Sequence, residues 1–139
     1  MMDMTIRPRR LRGCDSLRHI VRETRMSPDS LIYPIFVDEQ LTGRRPIDAL
    51  EGQYHYGLDS VCGAVRECVE AGVGRCILFG LPAKKDASGS SAWDRKGVVQ
   101  QAIRAIKKEF PDFYVVTDVC MCEYTDHGHC GALRGHEVD

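Results

Sequence analysis

Two stretches of the chain place apolar residues at the three- and four-residue spacing of an amphipathic helix. They cover residues 58–69 and residues 99–110. Gly72 follows the first stretch, and glycine often closes a helix in the left-handed conformation. Pro111 follows the second stretch, and proline cannot continue a helix. Each stretch is therefore predicted to form a helix that turns one face towards the core.

Three short apolar runs predict buried strands, at residues 31–37, 75–80 and 113–116. Pro34 argues against the first of them, because proline has no N–H to donate to a sheet. The three runs alternate with the two predicted helices, and the connections between them are short. This order predicts an α/β fold made of parallel β/α units with right-handed crossovers.

Two further stretches lack a regular pattern and are predicted to be loops. Residues 38–57 are expected to be irregular and either functional or docked on the rest of the protein, with Tyr54 and Tyr56 packing rather than reacting. Residues 84–91 are rich in glycine and serine and predict a mobile loop with solvated lysines. Turn-forming residues interrupt the first of these stretches at four positions: Gly43, Pro46, Gly52 and Gly57.

The N-terminal residues 1–28 are predicted to form an arm, separate from the domain at residues 29–139. The arm begins with four arginines around a proline: Arg7, Arg9, Arg10 and Arg12. A basic start without a pattern fits either a solvated tail or a segment that docks on another subunit. Asp15 and Ser16 predict the cap of a short helix within the arm.

Composition limits the classes of function. The 139 residues suffice for one modest domain, and a net charge of −1 gives no indication of nucleic-acid binding. No apolar run is long enough to span a membrane, and the N-terminus has no apolar signal-peptide core. The seven cysteines are an odd number without the framework of a small secreted protein. We therefore expect reduced thiols in a cytoplasmic protein.

A candidate metal site follows the third predicted strand. Asp118, Cys120 and Cys122 alternate with two apolar residues, and in an extended strand such positions lie on one face. Cys130 returns eight residues later through a turn at Gly128. Three thiolates suit zinc, which prefers sulfur ligands in a tetrahedral shell.

The fourth position of such a shell stays open for water, substrate, His127 or His129. Three protein ligands with an open position are typical of a catalytic zinc, whereas a structural zinc usually has four.

Other interpretations of these residues stay open from the sequence alone. The spacing C-x-C-x7-C differs from that of the common zinc fingers, and free cysteines are often small core residues. Cys62, Cys68 and Cys76 fall within apolar patterns and are predicted to be such core thiols. A thiol redox protein would also use neighbouring cysteines. A carboxylate such as Asp118 at the end of a strand often only caps the loop that follows.

The segment DVCMCEYTDHGHCG at residues 118–131 resembles the zinc-site signature of the porphobilinogen synthase family, also called 5-aminolevulinate dehydratase. Upstream segments agree with the family in the same order over essentially the whole chain. Some family members carry Asp in place of these cysteines, and this sequence has the Cys form. The agreeing segments are RPRRLR (7–12), LIYPIFV (31–37), GQYHYGLD (52–59), ILFG (77–80), GSSAWD (89–94) and VQQAIRAIKKEFPD (99–112).

The resemblance implies a fold and a site. It implies the first three β/α units of a TIM-type (β/α)8 barrel, incomplete in this chain and preceded by the arm. Cys120, Cys122 and Cys130 match zinc ligands of the family, and Asp118 matches an active-site carboxylate. The family is assembled as octamers in which the arm embraces a neighbouring subunit, and Mg2+ acts as an allosteric ion in some full-length members.

The resemblance also implies an activity, the condensation of two 5-aminolevulinate molecules to porphobilinogen in tetrapyrrole and heme biosynthesis. In the family, two lysines downstream of the zinc signature form Schiff bases with the substrates, and neither has a counterpart here. We therefore expect this chain to be an N-terminal portion of the enzyme and to be inactive alone. The alternative is a non-catalytic zinc-binding or regulatory subunit that pairs with full-length subunits.

Overall fold

The computed structural model describes residues 8–139 and arranges them around a mostly parallel sheet. Three α-helices belong to this part of the chain: α1 (Asp15–Val21), α2 (Val61–Glu70) and α3 (Val98–Glu109). The strands are β1 (Tyr33–Asp38), β2 (Arg44–Pro46), β3 (Tyr54–Tyr56), β4 (Arg75–Leu81), β5 (Tyr114–Thr117), β6 (Leu133–Arg134) and β7 (Glu137–Val138). No helix among the described residues has the length and apolar character needed to cross a membrane.

The five-stranded sheet has the order β2-β3-β1-β4-β5. Strands β1, β4 and β5 are parallel, with Tyr33 paired to Cys76 and Arg75 paired to Tyr114. Helix α2 lies in the connection from β1 to β4, after β2 and β3, and helix α3 lies in the connection from β4 to β5. The predicted alternation of three parallel strands and two helices is confirmed. Pro34 does lie in β1, before the two residues of that strand that pair with β3.

The core lies between the sheet and the two crossover helices. Alternate residues of β1 and β4 are buried, as expected for strands with one face against helices. The predicted apolar faces of both helices are confirmed, because they supply the other half of the core. The largest side chains with less than 2% exposure include Ile35, Val37, Val61, Val65, Leu78, Val98 and Ile106.

Helix α2 ends in the cap that the sequence predicts. Gly72 has a φ of 79°, in the left-handed region. Its N–H donates to the carbonyl of Val69 over 3.0 Å, and the N–H of Val73 donates to the carbonyl of Cys68 over 2.8 Å. These two bonds form a Schellman motif, which returns the chain towards β4 within three residues.

The prediction of an irregular loop at residues 38–57 is wrong, because this segment contains the antiparallel pair β2 and β3. Strand β3 also pairs in parallel with β1 and extends the sheet on that side. Each strand has only three residues, and all three residues of β2 are exposed, so no apolar alternation marks them. Tyr56 is 3% exposed, which confirms that it packs in the core.

Helix α1 forms where a short helix was predicted, but its predicted cap is wrong. The N-cap residue is Cys14, and its side chain makes no capping hydrogen bond. Asp15 lies in the first turn and forms an ion pair with Arg18 one turn later. No residue of α1 is buried, and Ile20 is 72% exposed. Arg7 and the rest of the first seven residues of the predicted arm lie outside the described residues.

Candidate metal centre

The metal loop, residues 118–131, starts where β5 ends at the carboxyl edge of the parallel sheet. The sequence predicts one extended strand through Cys122, and that prediction is wrong, since β5 ends at Thr117. The carbonyl of Met121 accepts the N–H groups of Tyr124 and Thr125 over 2.9 and 3.0 Å. The chain therefore turns at this point, and Asp118 and the two nearby cysteines do not share the face of one strand.

The three predicted thiols nevertheless lie together. The Sγ of Cys130 is 3.1 Å from that of Cys120 and 2.8 Å from that of Cys122. All three sulfur atoms lie within 4.8 Å of one another, and all three cysteines are free. Gly128 has a φ of 73° and makes the return turn that was predicted.

This group of thiols could hold a metal ion. Around a tetrahedral ion with metal–sulfur bonds of about 2.3 Å, ligand sulfurs lie about 3.8 Å apart. The observed separations, 3.1 and 2.8 Å, are shorter than this by one ångström at most. Side-chain rotation can open the cluster by that amount without moving the sheet. The donor set is soft sulfur, which suits zinc better than magnesium or calcium.

Hydrogen bonds within the cluster separate the acidities of its thiols. Bonds from Cys122 and Cys120 to the sulfur of Cys130 lower the pKa of Cys130 to about 7. The same bond to Cys130, followed by that with Cys120, raises the pKa of Cys122 to about 12. One thiolate is thus available near neutral pH, and a bound cation would favour the deprotonation of the others.

The two histidines of the metal loop differ in their availability. His127 accepts the N–H of His129 at Nδ1 over 3.1 Å, and its Nε2 lies 3.2 Å from the carbonyl oxygen of Ala87. An Nδ1 that accepts leaves the proton on Nε2, so His127 donates to that carbonyl. Both ring nitrogens are occupied, and only the ring of His129, stacked on that of His127, has no such pair of contacts.

Asp118 lies directly after β5 and is exposed. Its backbone N–H donates to the carbonyl of Leu78 over 3.3 Å, which fixes the position of the residue beside β4. A cavity of about 330 Å3 opens next to it, between the metal loop and helix α3. Cys120, Met121 and Gln100 also line this cavity. The predicted carboxylate and one predicted thiol therefore face a common space.

Two residues that sequence reasoning did not select tie the metal loop to β4. Glu123 accepts the backbone N–H of Gly80 through Oε2 over 3.2 Å, and burial raises the pKa of Glu123. Burial also raises the pKa of Tyr124 to about 12, with smaller contributions from the charges of Glu123 and Asp118. A Cβ at Gly80 would lie 2.7 Å from the hydroxyl of Tyr124, so a glycine is needed there.

The structure combines parallel β/α units with three thiols beyond the carboxyl ends of the strands. It therefore belongs to the class of β/α proteins that have a candidate metal site at this edge of the sheet. Comparison with known proteins gives the family. The family model described as Delta-aminolevulinic acid dehydratase matches residues 5–139, and the chain belongs to that family.

Two relatives with that name show how much of the family the chain represents. The protein of Ruminiclostridium josui is 52% identical over 136 residues, which cover 98% of this chain and 66% of the relative. The protein of Archaeoglobus fulgidus is 50% identical over 133 residues, which cover 96% of this chain and 41% of the relative. The chain thus spans about two-fifths to two-thirds of the length of these relatives.

A solved structure supports the same assignment for the fold. The delta-aminolevulinic acid dehydratase (porphobilinogen synthase) of Toxoplasma gondii, in complex with the reaction product porphobilinogen, matches with a TM-score of 0.89 at 28% identity. The match covers all of this chain and 40% of that one. The predicted fold class is confirmed, because the β/α units match the N-terminal part of that enzyme.

Proposed function

We propose that this chain forms the metal-binding N-terminal portion of a zinc-dependent porphobilinogen synthase, which condenses two molecules of 5-aminolevulinate to porphobilinogen. The observation that carries the proposal is the grouping of three thiols beside a cavity of about 330 Å3 at the carboxyl edge of the sheet. Membership of the dehydratase family supports the choice of reaction.

Cys120, Cys122 and Cys130 are the proposed ligands of the zinc ion. A zinc ion bound there would polarise a substrate oxygen or supply hydroxide. A substrate would lie in the cavity that Cys120 and Asp118 both line, because that space borders one proposed ligand and the proposed acid–base group. His129 lies beside the ligands in sequence, and His127 holds the loop rather than a metal.

Asp118 is the proposed proton acceptor or donor of this portion. An exposed carboxylate at the edge of a cavity can reach a substrate bound there and move a proton to or from it. Its backbone contact with Leu78 holds it on the rigid end of the sheet rather than on the mobile part of a loop. That position supports a direct role in the chemistry over the capping of the metal loop.

The 139-residue chain alone is proposed to be inactive, since the family's two Schiff-base lysines lie downstream of the zinc signature. A Schiff-base lysine needs a desolvated or cation-rich pocket to lower its pKa. Lys107 does not fit that role, because its Nζ donates to the carbonyls of Pro111 and Phe113 and so closes the end of α3.

We further propose a cytoplasmic homo-oligomer, an octamer as in the family, in which residues 1–28 embrace a neighbouring subunit, with Mg2+ as an allosteric ion. The exposure of apolar side chains within the arm supports the contact. Ile20 is 72% exposed and Met26 is 83% exposed, and neither residue belongs to the hydrophobic core. Neither a nucleic acid nor a membrane is proposed as a partner.

A chimera tests the activity. This chain would replace the matching segment of the Archaeoglobus fulgidus relative, and porphobilinogen formed from 5-aminolevulinate would be measured. We expect activity in the chimera, none in the isolated chain, and a loss of at least about 100-fold in Cys122→Ser or Cys130→Ser, because a ligand of the zinc is removed.

Cys14→Ser is the matched control, since Cys14 is an exposed thiol outside the metal loop. Its activity should equal that of the parent chimera. A folded, zinc-loaded chimera that forms no porphobilinogen would overturn the proposed reaction. Equal activity in all the cysteine variants would overturn the proposed ligands.

A further inference from the structure

A second loop supports the metal loop from the side. This support loop, residues 86–91, follows β4 and lies within the stretch 84–91 that the sequence predicts to be mobile. Asp86 and Thr125 form a parallel β-bridge between the two loops. The N–H of Asp86 donates to the carbonyl of Tyr124 over 3.4 Å, and the N–H of Asp126 donates to the carbonyl of Asp86 over 3.2 Å. The backbone of one residue thus joins the metal loop twice.

Further contacts between the support loop and the metal loop lie beside this β-bridge. The Nε2 of His127 donates to the carbonyl of Ala87 over 3.2 Å. Gly89 has a φ of 67°, and a Cβ there would lie 2.5 Å from the Cε of Met121. The support loop therefore follows the surface of the metal loop closely, and its shape decides whether the two fit.

Thr125 links the β-bridge between the two loops to a proposed metal ligand. This side chain is 2% exposed, and its Oγ1 donates to the carbonyl of His129 over 3.0 Å. His129 directly precedes Cys130, the thiol that contacts both of the other two sulfurs. A shift of the support loop is thus passed to Cys130 through one buried hydroxyl group.

The carboxylate of Asp86 gives the support loop its shape. Its Oδ1 accepts the N–H of Ser88 over 2.9 Å, the hydroxyl of Ser88 over 2.7 Å and the N–H of Ser90 over 3.1 Å. Its Oδ2 accepts the hydroxyl of Ser90. Hydrogen bonds from Ser90 and then Ser88 lower the pKa of Asp86 well below its ordinary value, so the group is a carboxylate at all physiological pH values.

We propose that Asp86 is a positioning residue for the metal centre: its carboxylate folds the support loop, whose backbone holds the metal loop in the conformation that brings Cys130 to Cys120 and Cys122. The proposal rests on the proposed metal site. It assigns Asp86 no contact with metal or substrate. Its effect reaches the thiols through the bridge to Thr125 and the contact of Thr125 with His129.

The test measures zinc affinity in the full 139-residue chain, by competition with a chelating dye, together with the absorption spectrum of the Co2+ form. Asp86→Ala removes the carboxylate that accepts the hydrogen bonds of Ser88 and Ser90, and it should lower zinc affinity about 10- to 100-fold, as loss of outer-shell support does. It should also change the Co2+ spectrum, because the thiolates no longer meet in the same geometry. Loss of stability alone would leave that spectrum of the folded protein unchanged.

Two variants complete the design. Asp86→Asn keeps Oδ1 as an acceptor for two N–H groups and can donate to the hydroxyl of Ser90, so it should restore most of the affinity. Asp94→Ala is the matched control. Asp94 makes the same kind of local turn, with Oδ1 accepting the N–H of Lys96 over 2.8 Å, and its hydrogen bonds run to Lys96 and Gly97 rather than to the metal loop. Its zinc affinity and Co2+ spectrum should equal those of the parent chain.

The outcomes separate the two proposals. A parent chain that binds neither zinc nor Co2+ at its cysteines would overturn the metal site and, with it, the role of Asp86. A parent chain that binds, with Asp86→Ala equal to Asp94→Ala in affinity and spectrum, would overturn only the role of Asp86. If Asp86→Ala does not fold, Ser90→Ala tests the same support loop, since it removes one donor to Asp86 and should give an intermediate loss of affinity.

Discussion

Two sets of three cysteines occupy opposite environments in this molecule. The core thiols, Cys62, Cys68 and Cys76, lie on α2 and β4. Cys68 is 6% exposed and Cys76 is fully buried, whereas Cys62 is partly buried and packs against the core. The loop thiols lie beyond the carboxyl end of β5 and are partly or fully exposed: Cys120, Cys122 and Cys130. The sequence predicts both roles, the first from apolar periodicity and the second from the spacing of three cysteines after a predicted strand.

The two sets show that the environment, rather than the residue type, decides what a thiol can do. Burial raises the pKa of every core thiol, and that of Cys76 reaches about 12. No core thiol has another sulfur positioned to stabilise its thiolate. Within the loop set, hydrogen bonds from two neighbouring thiols lower the pKa of Cys130 to about 7. Only the loop set therefore combines a thiol of lowered pKa, Cys130, with access and the mutual proximity of three sulfur atoms.

The largest expected difference between the sets is in alkylation. In metal-free protein at pH 7, iodoacetamide should modify Cys130 at least about 1000-fold faster than Cys76, because thiolate fraction and access both favour Cys130. Mass spectrometry of peptides taken at successive times measures both rates. In denaturant the two rates should become similar. Equal rates in the native protein would contradict the comparison.

The next effect is on metal affinity. Each of the substitutions Cys120→Ser, Cys122→Ser and Cys130→Ser should weaken zinc binding by about 100-fold or more, as the loss of one of a few strong ligands does. Cys62→Ala should leave the affinity unchanged, because that thiol belongs to the core set. Competition with a chelator measures all four variants. A loss of affinity in Cys62→Ala as large as in the loop variants would show that the fold rather than the ligand set was tested.

The effect on stability should be smaller, and here the core thiols should matter more than the loop thiols. Cys76→Ala leaves a small cavity beneath the sheet and should lower the free energy of unfolding by about 1 to 2 kcal/mol. Cys130→Ala in metal-free protein should leave it nearly unchanged, since the side chain is exposed. Urea denaturation followed by circular dichroism checks both values.

The last expected difference is in alkaline pH dependence. A thiol whose pKa is raised from 9.0 to about 12 keeps its proton in the folded state while the unfolded chain loses it. The free energy of unfolding should therefore fall as the pH rises from about 9 to about 12. Cys76→Ala should show a shallower fall than the parent over that range. An identical fall would mean that the other buried groups, Tyr56 among them, account for it alone.

Sequence patterns predicted the elements that are long enough to carry a period. Helix α3 and strand β4 were found because apolar residues recur along each of them at a regular spacing. The pair β2 and β3 was missed because three residues are too few to show an alternation, and β2 has no buried face at all. Backbone hydrogen bonds pair β3 with β1, and such pairing does not depend on a pattern of residue types.

The sequence predicted which cysteines form the metal site, but not how the backbone brings them together. The cysteines carried their own signal, whereas the turn at Met121 depends on backbone hydrogen bonds that no residue type announces. The contribution of Asp86 was missed because it lies 34 residues before Cys120 in the sequence. The signal present was local: an aspartate followed by serines two and four residues later favours a turn held by the carboxylate.

The metal loop comes after every strand of the five-stranded sheet, and this order has a consequence for synthesis. A chain leaves the ribosome from its N-terminus, and domains form as their residues become available. Strand β4 and the support loop are complete before Cys120 emerges, and only ten residues separate Cys120 from Cys130. Closing so short a loop costs little chain entropy. The thiols thus come together on a surface whose strands and support loop have already been synthesised.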